Sequence, residues 1–420
     1  MTKNRIKYKV KFKIELNKKM FVTSNISLRG GKNMLNFTLY NPTKLVFGES
    51  TIETIGEHLV KSGIRKVLIV YGKGSIMKNG VYDTVVESLE NNNIDYIKLS
   101  GVKPNPVLSK VQEGIKLAKE NEVDGVLAVG GGSVIDSSKA IAAGVCYEGN
   151  VWELFEGKGS VKKALPLFTI LTLSATGSEM NSGGVVTNED EGKKWSFGSP
   201  LLYPKVSILD PSVQRSLPSK QTANGAIDAI SHVFEAYYGG TESTDMLDEL
   251  SEGIIRTVIT HTRELLKDSN NYKSRSELAF AATLALNGLN GVGRKGDWAS
   301  NSIEHSLSVL NDIAHGSGLA IIMPAWMKYV YKEDVKKFAK FACHVFTINE
   351  GSDEEKALKG IEALRDFYKE IGAPITLKEV GVKREELDFI ADNAAILAPL
   401  GTLKPLKRDD IYNILEIAFE

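Results

Sequence analysis

The chain has 420 residues, of which 42% are apolar and 25% are charged, and its formal net charge is zero. This length predicts two or three domains. No apolar run approaches the roughly 18 residues that a membrane-spanning helix needs, so we expect no membrane partner. Two cysteines are too few for a disulfide framework, which favours a cytoplasmic, reducing environment.

The charge is unevenly distributed along the chain. Residues 1–33 hold ten Lys or Arg side chains against one acid, Glu15, which leaves residues 34–420 with a net charge of −9. Nucleic-acid binding relies on basic patches that displace counterions from phosphates. A body this acidic therefore argues against a nucleic-acid partner.

Apolar and charged residues alternate over 6–16, which is the period of a β-strand. The segment is not a signal peptide, because no continuous apolar stretch follows the charges. An edge strand, a basic arm and a tail outside the folded unit are three interpretations of the pattern. The composition changes sharply near Met34, so we expect residues 1–33 to lie outside the fold, and we hypothesise that translation starts at Met34.

Short apolar runs alternate with amphipathic segments between residue 34 and about residue 210. Strands are predicted at 66–71, 96–99, 123–129, 167–173 and 205–209, with helical spacing at 81–89 and 107–118. Strands separated by helices of this length predict βαβ units and a parallel sheet.

Helical patterns dominate the rest of the chain, for example at 276–289, 335–346 and 354–371. We therefore predict an α/β domain at 34–212 followed by a helical domain at 213–420.

A glycine turn at 130–133 follows one predicted strand and opens a helix. Glycines let the backbone approach a pyrophosphate closely, with the helix N-terminus facing the anion. A tight turn without a ligand is the alternative, and the pattern is not the usual G-x-G-x-x-G signature. The hydroxyl-rich segment 172–179 is suited to line a ribose or phosphate, and a solvated loop is an equally good interpretation.

Asp228 and His232 are four residues apart in a helical pattern, so they share one helix face. A carboxylate and an imidazole in this arrangement can ligate a divalent cation, although a plain surface pair has the same spacing. His305 and His315 follow in Gly-rich and apolar surroundings. Three histidines and one Asp in a helical domain make a metal site a candidate.

Taken together, these motifs resemble the iron-containing (group III) alcohol dehydrogenases over about residues 35–415, and 103–106 and 296–299 resemble the butanol-dehydrogenase branch. The motifs are Gly130-Gly131-Gly132-Ser133-x-x-Asp136-x-x-Lys139, Thr176-x-Ser178-Glu179, Gly225-x-x-Asp228-x-x-x-His232 and His305 with His315-Gly316. The resemblance implies a Rossmann-like α/β dinucleotide-binding domain with a parallel sheet and an all-α metal-binding domain, the dehydroquinate synthase-like architecture. It also implies Fe²⁺, or Zn²⁺ or another divalent ion, in the cleft, and a homodimer.

The resemblance also assigns roles to individual residues. Gly131, Gly132 and Ser133 would hold the pyrophosphate. The remaining cofactor-binding residues would be Asn105, Asp136, Thr172, Thr176 and Ser178.

Asp228, His232 and His315 would ligate the metal, and His305 would relay a proton as the catalytic residue. The family's fourth ligand is a histidine fourteen residues before the last one, and here that position is Asn301. An amide oxygen is a poor ligand for zinc but acceptable for harder ions. Four outcomes stay open: Asn301 ligates weakly, His305 swings in, water fills the position, or the site no longer holds metal.

The choice of cofactor depends on the residue after the first strand. NAD-selective relatives place an Asp there, which repels a 2′-phosphate, whereas this chain has Gly72, flanked by Lys73, Ser75 and Lys78. Loss of a carboxylate beside two cations and a hydroxyl favours NADP(H), with NAD(H) as the alternative.

The sequence therefore predicts reversible hydride transfer between NADP(H) and a primary alcohol or aldehyde, similar to butanol and butanal. One alternative is a dinucleotide-binding protein with an impaired metal site and no turnover. Another is a lyase of the dehydroquinate-synthase type, whose phosphate-bearing substrate calls for several cations, whereas the sequence near His232 and His305 offers few.

Overall fold

The structure, a computed structural model, describes residues 33–420. The alternating segment at 6–16 and the proposed extension up to residue 32 lie outside the described residues. No helix in the described part of the chain is long and apolar enough to cross a membrane.

Eight strands and six helices form the first half of the described chain. The strands are β1 Lys44–Phe47, β2 Lys66–Tyr71, β3 Asp95–Leu99, β4 Gly125–Gly130, β5 Leu167–Leu171, β6 Gly183–Asn188, β7 Lys193–Gly198 and β8 Val206–Leu209. The helices are α1 Ile55–Lys61, α2 Ser75–Lys78, α3 Val81–Asn91, α4 Leu108–Glu120, α5 Gly132–Val145 and α6 Trp152–Phe155.

Six of these strands form one parallel sheet in the order β1-β8-β5-β4-β2-β3. Helices cover both faces of the sheet, and this explains why the central strands are apolar throughout rather than alternating. Val67 and Ile69 of β2 belong to the same apolar cluster as residues of α1 and α3. Leu68 and Val70 belong to the cluster that contains residues of α4 and α5. The predicted α/β fold class is therefore confirmed.

The sequence patterns did not predict β1 or the antiparallel hairpin of β6 and β7. The β1 strand is four residues long and pairs only with β8 at the sheet edge, so it lacks the buried apolar run that marks the central strands. The hairpin packs with β6 against α5 and with β7 against a helix of the second half, Ala299–Asn311. Its strands are thus stabilised by tertiary contacts to both halves of the molecule.

Helices make up the second half of the described chain around one large apolar core. They are α7 Ser219–Tyr237, α8 Asp245–Lys267, α9 Tyr272–Ala285, α10 Ala299–Asn311, α11 His315–Val330, α12 Val335–Phe346, α13 Asp353–Glu370, α14 Leu387–Ala394 and α15 Arg408–Phe419. The α9 helix begins four residues before the predicted start, because the side chain of Asn271 accepts a hydrogen bond from the Ser274 amide and caps it.

A buried carboxylate on α8 ties three segments of this half together. Asp248 accepts hydrogen bonds from Arg294 Nη2 at 2.9 Å and from Lys340 Nζ at 3.0 Å, and it also pairs with Lys337. Burial alone raises the pKa of Asp248, but Lys337, Lys340 and Arg294 hold it below its ordinary value. The ionised carboxylate is therefore the form that stabilises the fold.

Replacing this carboxylate with an amide leaves three cations without their shared partner. We expect Asp248→Asn to lower the free energy of unfolding by about 3 kcal/mol, measured as a lower urea midpoint by circular dichroism. The folded-state pKa of Asp248 lies below the unfolded value. Its contribution is therefore complete above an unfolded pKa of about 3.9 and declines as the pH falls below that value.

The control is Glu264→Gln on the same helix, which removes an exposed pair with Lys267. Its effect should stay within about 0.5 kcal/mol. Equal effects of the two substitutions would contradict the role given to Asp248.

Candidate active site

The glycine turn and Gly72 lie side by side at the carboxyl ends of the neighbouring strands β4 and β2. Tyr71 at the end of β2 is the register partner of Val129 in β4, so the residues that follow both strands emerge together. The chain runs from β2 to β3 on one side and from β4 to β5 on the other. In open parallel sheets, ligands bind in the crevice at such a reversal of strand order.

The glycine turn is tightly enclosed by the segment 172–179. A Cβ atom at Gly132 would lie 2.3 Å from Thr176 Cγ2 and 2.4 Å from its Oγ1, so no larger residue fits there without displacing Thr176. Thr172 anchors the same segment, since its amide donates to the Gly130 carbonyl at 3.0 Å. Gly132 and Ser133 open α5, and the first amides of a helix lack intrahelical acceptors and can face an anion.

Behind the turn, a buried network joins α5 to the hairpin. Ser178 Oγ donates to Asp136 Oδ1 at 2.6 Å, and Lys139 Nζ donates to Ser178 Oγ at 2.8 Å. Burial lowers the pKa of Lys139 to about 8, while Asp136 acts in the opposite direction. The predicted residues Asp136 and Ser178 thus contact each other and Lys139.

The residues around Gly72 are polar and open to solvent. Lys73, Ser75 and Lys78 are exposed, and neither lysine forms an ion pair with a described residue. A Cβ atom at Gly72 would meet only the Val102 carbonyl, at 3.4 Å. The position therefore has room for a side chain.

Asn105 connects the α/β half to the helical half. Its φ is 52°, and its amide nitrogen donates to Asp312 Oδ1 at 3.0 Å and to the Ile313 carbonyl at 2.9 Å. Its amide oxygen accepts from Lys194 Nζ at 3.0 Å. Asn105 therefore connects the loop after β3 to the loop before α11 and to β7.

Asp228, His232 and His315 come together between α7 and the start of α11. One ligand atom from each residue lies within 4.8 Å of the others. Asp228 Oδ1 is 3.7 Å from His232 Nε2 and 3.6 Å from His315 Nε2, distances too long for hydrogen bonds. This oxygen is buried and has no hydrogen-bond partner among the described residues.

Asn301 joins this group through its amide oxygen. Asn301 Oδ1 lies 3.1 Å from His315 Nε2. On the other ring nitrogen, His315 Nδ1 contacts Glu304, and a carboxylate can only accept, so Nδ1 carries a proton. In neutral His315, Nε2 is then an acceptor that faces the oxygens of Asn301 and Asp228. Three acceptors that converge in this way fit a divalent cation.

The carboxylate behind His315 is itself buried and paired. Burial alone would raise the pKa of Glu304, but His315 and Lys194 hold it well below its ordinary value. Lys194, on β7, donates to Glu304 Oε2 at 3.3 Å. The hairpin thus supplies the cation that balances Glu304 from across the cleft.

His305 lies on α10 one turn after Asn301, next to His315. The centroids of the two imidazole rings are 5.4 Å apart. Burial lowers the pKa of His305 well below its ordinary value, and Lys194 and His315 act in the same direction. The neutral imidazole is therefore favoured, and it can accept a proton at its unprotonated ring nitrogen.

The loop that encloses the glycine turn also packs against α7. A Cβ atom at Gly225, one turn before Asp228, would lie 2.4 Å from the Ser174 carbonyl oxygen. Glycine at this position lets the loop and the helix approach closely. The glycine turn and the helix that carries Asp228 therefore contact one shared segment, residues 172–179.

Three residues of this site were missed by the sequence analysis: Lys194, Glu235 and Glu304. Glu235 follows His232 by three residues on α7, and Glu304 lies three residues after Asn301 on α10, so helical spacing could have found both carboxylates. Lys194 carries no such signal, because the hairpin itself was not predicted.

Both halves of the chain match models of one protein family. Residues 42–211 match the model described as iron-containing alcohol dehydrogenase, and residues 222–419 match the C-terminal model of the Fe-containing alcohol dehydrogenase family.

The relatives cover nearly the whole described chain. The probable NADH-dependent butanol dehydrogenase 1 of Bacillus subtilis (strain 168) is 44% identical over 385 residues, which are 91% of this chain and 99% of that protein. The NADPH-dependent aldehyde reductase YqhD of Escherichia coli (strain K12) is 38% identical over 355 residues, 83% of this chain and 90% of that protein.

Among solved structures, the NADH-dependent butanol dehydrogenase A of Thermotoga maritima superposes with a TM-score of 0.91 at 52% identity, and the match covers 92% of this chain and 100% of that one. These relatives are dehydrogenases and a reductase, so they do not support the alternative of a binding protein without turnover. With both family models matched and identities of this size across the chain, the protein belongs to the iron-containing alcohol dehydrogenase family.

Proposed function

We propose that the protein reversibly transfers a hydride between a nicotinamide dinucleotide and a primary alcohol or aldehyde, in the cleft between the glycine turn and α7. One observation carries the proposal: Asp228 Oδ1, Asn301 Oδ1 and His315 Nε2 converge in the cleft that also holds the glycine turn, and Asp228 Oδ1 has no hydrogen-bond partner among the described residues. A divalent ion bound there supplies a Lewis acid for the substrate oxygen.

Asp228, His232, His315 and Asn301 are the proposed ligands, two nitrogens and two oxygens. Glu304 orients His315 by accepting from Nδ1, which leaves Nε2 directed at Asp228. The unpartnered Asp228 Oδ1 supplies the negative charge. The neutral amide oxygen of Asn301 is a poorer ligand for Zn²⁺ than for a harder ion, which favours Fe²⁺ here.

The proposed cofactor site is the crevice after β2 and β4. Gly131, Gly132 and Ser133 would bind the pyrophosphate through backbone amides, and Thr172, Thr176 and Asn105 would line the cleft. The remaining predicted residues, Asp136 and Ser178, would act through the position of α5, because their side chains bond to each other.

His305 is the proposed catalytic residue for proton transfer. Neutral His305 would accept the proton released when an alcohol is oxidised, and protonated His305 would donate a proton when an aldehyde is reduced. Its place beside His315 would put it at the substrate end of the cleft.

The proposal also includes the organisation of the chain. We propose a cofactor domain at 34–212 and a metal domain at 213–420. A homodimer in the cytoplasm completes the proposal.

The experiment that tests this function measures metal content and turnover together. Protein loaded anaerobically with Fe²⁺ should oxidise NADPH or NADH when butanal is added, and chelation should abolish the activity. We expect Asp228→Asn to lose bound iron and at least about 100-fold in kcat/KM, because it removes the only charged ligand.

The matched control is Asp366→Asn, an exposed Asp on α13 outside the site. It should retain iron and activity. Full activity of Asp228→Asn, or of metal-free protein, would reject the proposal.

For the cofactor, we propose a preference for NADP(H), on the grounds that Gly72 carries no carboxylate and two exposed lysines lie nearby. Gly72→Asp should reduce the ratio of kcat/KM for NADPH to that for NADH by at least about tenfold, or about 1.4 kcal/mol. The cause is repulsion between the new carboxylate and the 2′-phosphate, measured by steady-state kinetics with each cofactor.

The control is Gly72→Asn, which adds the same volume without charge. It should leave the ratio within about twofold. A wild-type preference for NADH that Gly72→Asp does not change would contradict the proposed role of Gly72.

The glycine turn allows a direct test of the pyrophosphate site. Gly132→Ala places a methyl group against Thr176 and should push the turn out of position, which raises the Kd for NADPH by about tenfold or more. Nicotinamide fluorescence titration measures this Kd.

Gly253→Ala is the control, because a Cβ atom at this α8 position meets only the end of the Arg256 side chain, at 3.9 Å. It should bind NADPH like the wild type. Unchanged NADPH binding by a folded Gly132→Ala protein would argue against the pyrophosphate site.

A further inference from the structure

Asn301 differs from an imidazole ligand in one physical respect: its side-chain amide has two chemically different ends. The oxygen can ligate a cation, whereas the nitrogen carries two protons and repels one. A metal site that uses Asn301 therefore needs a device that keeps the oxygen directed inward.

The neighbours of the Asn301 nitrogen provide such a device. Asn301 Nδ2 donates to Glu235 Oε1 at 2.6 Å and lies 3.2 Å from Ser231 Oγ. Inversion of the amide would replace the Nδ2 donor with the Asn301 oxygen at the same short distance, facing Glu235 Oε1, which already accepts a hydrogen bond from Ser300 Oγ. Glu235 therefore disfavours the inverted amide by electrostatic repulsion.

Glu235 is held firmly in its own position. Ser300 Oγ donates to Glu235 Oε1 at 2.7 Å, and the Trp298 amide donates to Oε2. The side chain is 2% exposed and lies on α7 one turn after His232. The two oxygens accept from donors on α10 and on Trp298, the residue before it, so the carboxylate cannot rotate away without losing these hydrogen bonds.

We propose that Glu235 is a positioning residue that orients the Asn301 amide, so that Oδ1 and not Nδ2 faces the metal centre. This inference rests on the proposed function, because it takes the cluster of Asp228, His232 and His315 to be a metal site. Glu304 holds His315 in the same manner, from the side opposite the ion. Each of the two ligands on α10 and α11 is thus backed by a buried carboxylate.

The test is a double-mutant cycle read by binding of Co²⁺ alone, without cofactor or substrate. The side chain of Gln in Glu235→Gln has a single oxygen. That oxygen can accept either from the Trp298 amide or from Ser300 and Asn301, but not from both sides. If the oxygen of the new Gln side chain faces the Trp298 amide, its NH₂ group faces Asn301. This arrangement favours the Asn301 orientation in which Oδ1 points away from the metal centre. We expect the Kd for Co²⁺ to rise by about 10- to 100-fold, with a change in the Co²⁺ visible spectrum.

The cycle separates orientation from a general charge effect. Asn301→Ala has no amide to orient, so adding Glu235→Gln to it should change the Kd by less than about twofold. Glu304→Gln is the matched control: it acts through His315 and should weaken Co²⁺ binding by the same factor with or without Asn301. Thermal unfolding of each metal-free variant reports whether it is folded.

Two results would overturn the inference. An equal loss of affinity from Glu235→Gln with and without Asn301 would mean that the charge of Glu235 acts directly on the ion. In that case the proposed function stands, because the wild type still binds Co²⁺. Wild-type protein that binds no Co²⁺ would overturn the inference and the proposed metal site together.

A second measurement does not depend on the folding of any variant. A crystal structure of the wild-type protein with Co²⁺, located by anomalous scattering, should place Asn301 Oδ1 at a bonding distance of about 2.0–2.2 Å from the ion. Nδ2 should remain on Glu235. An ion coordinated by His305 or water in place of Asn301 would refute the inference.

Discussion

The site depends on one electrostatic constraint: acceptor atoms that face each other need a cation between them. Asp228 Oδ1 and His315 Nε2 are 3.6 Å apart, and Asn301 Oδ1 approaches the same nitrogen to 3.1 Å. Glu304 accepts a hydrogen bond from the other ring nitrogen, Nδ1, so neutral His315 has no proton on Nε2 to donate toward the cluster. Mutual repulsion of buried acceptors is costly, and a bound divalent ion turns it into attraction.

The two halves of the chain act as one site because single segments contact both. The loop at 172–179 packs on the glycine turn through Thr176 and on α7 near Gly225. The hairpin reaches across in the same way, since Lys194 on β7 pairs with Glu304 on α10. Lys194 therefore links the hairpin to His315 through Glu304. Family membership fits this arrangement, because the matched models divide the chain at the same cleft.

Much of the fold was predictable, because its signals are local. The buried strand Lys66–Tyr71 and the helix Val335–Phe346 were predicted with the bounds that the structure has, since each carries a continuous apolar run or a strong helical period. The edge strand β1 and the β6–β7 hairpin lack such runs. They are stabilised by β8, α5 and α10, and a pattern read along the chain contains no information about those partners.

The sequence alone determined which groups are available and which of them are neighbours on a helix. Asp228 and His232 share a face of α7 because they are four residues apart. The glycines at 130–132 allow the backbone to approach a ligand closely. The sequence also left four outcomes open at the metal site, and only three of them complete the metal shell. Only the tertiary structure decided how Asn301 is directed, because its orientation depends on Glu235, 66 residues earlier in the chain. An amide and a carboxylate on different helices can select one rotamer only after those helices pack, and no local pattern encodes that contact.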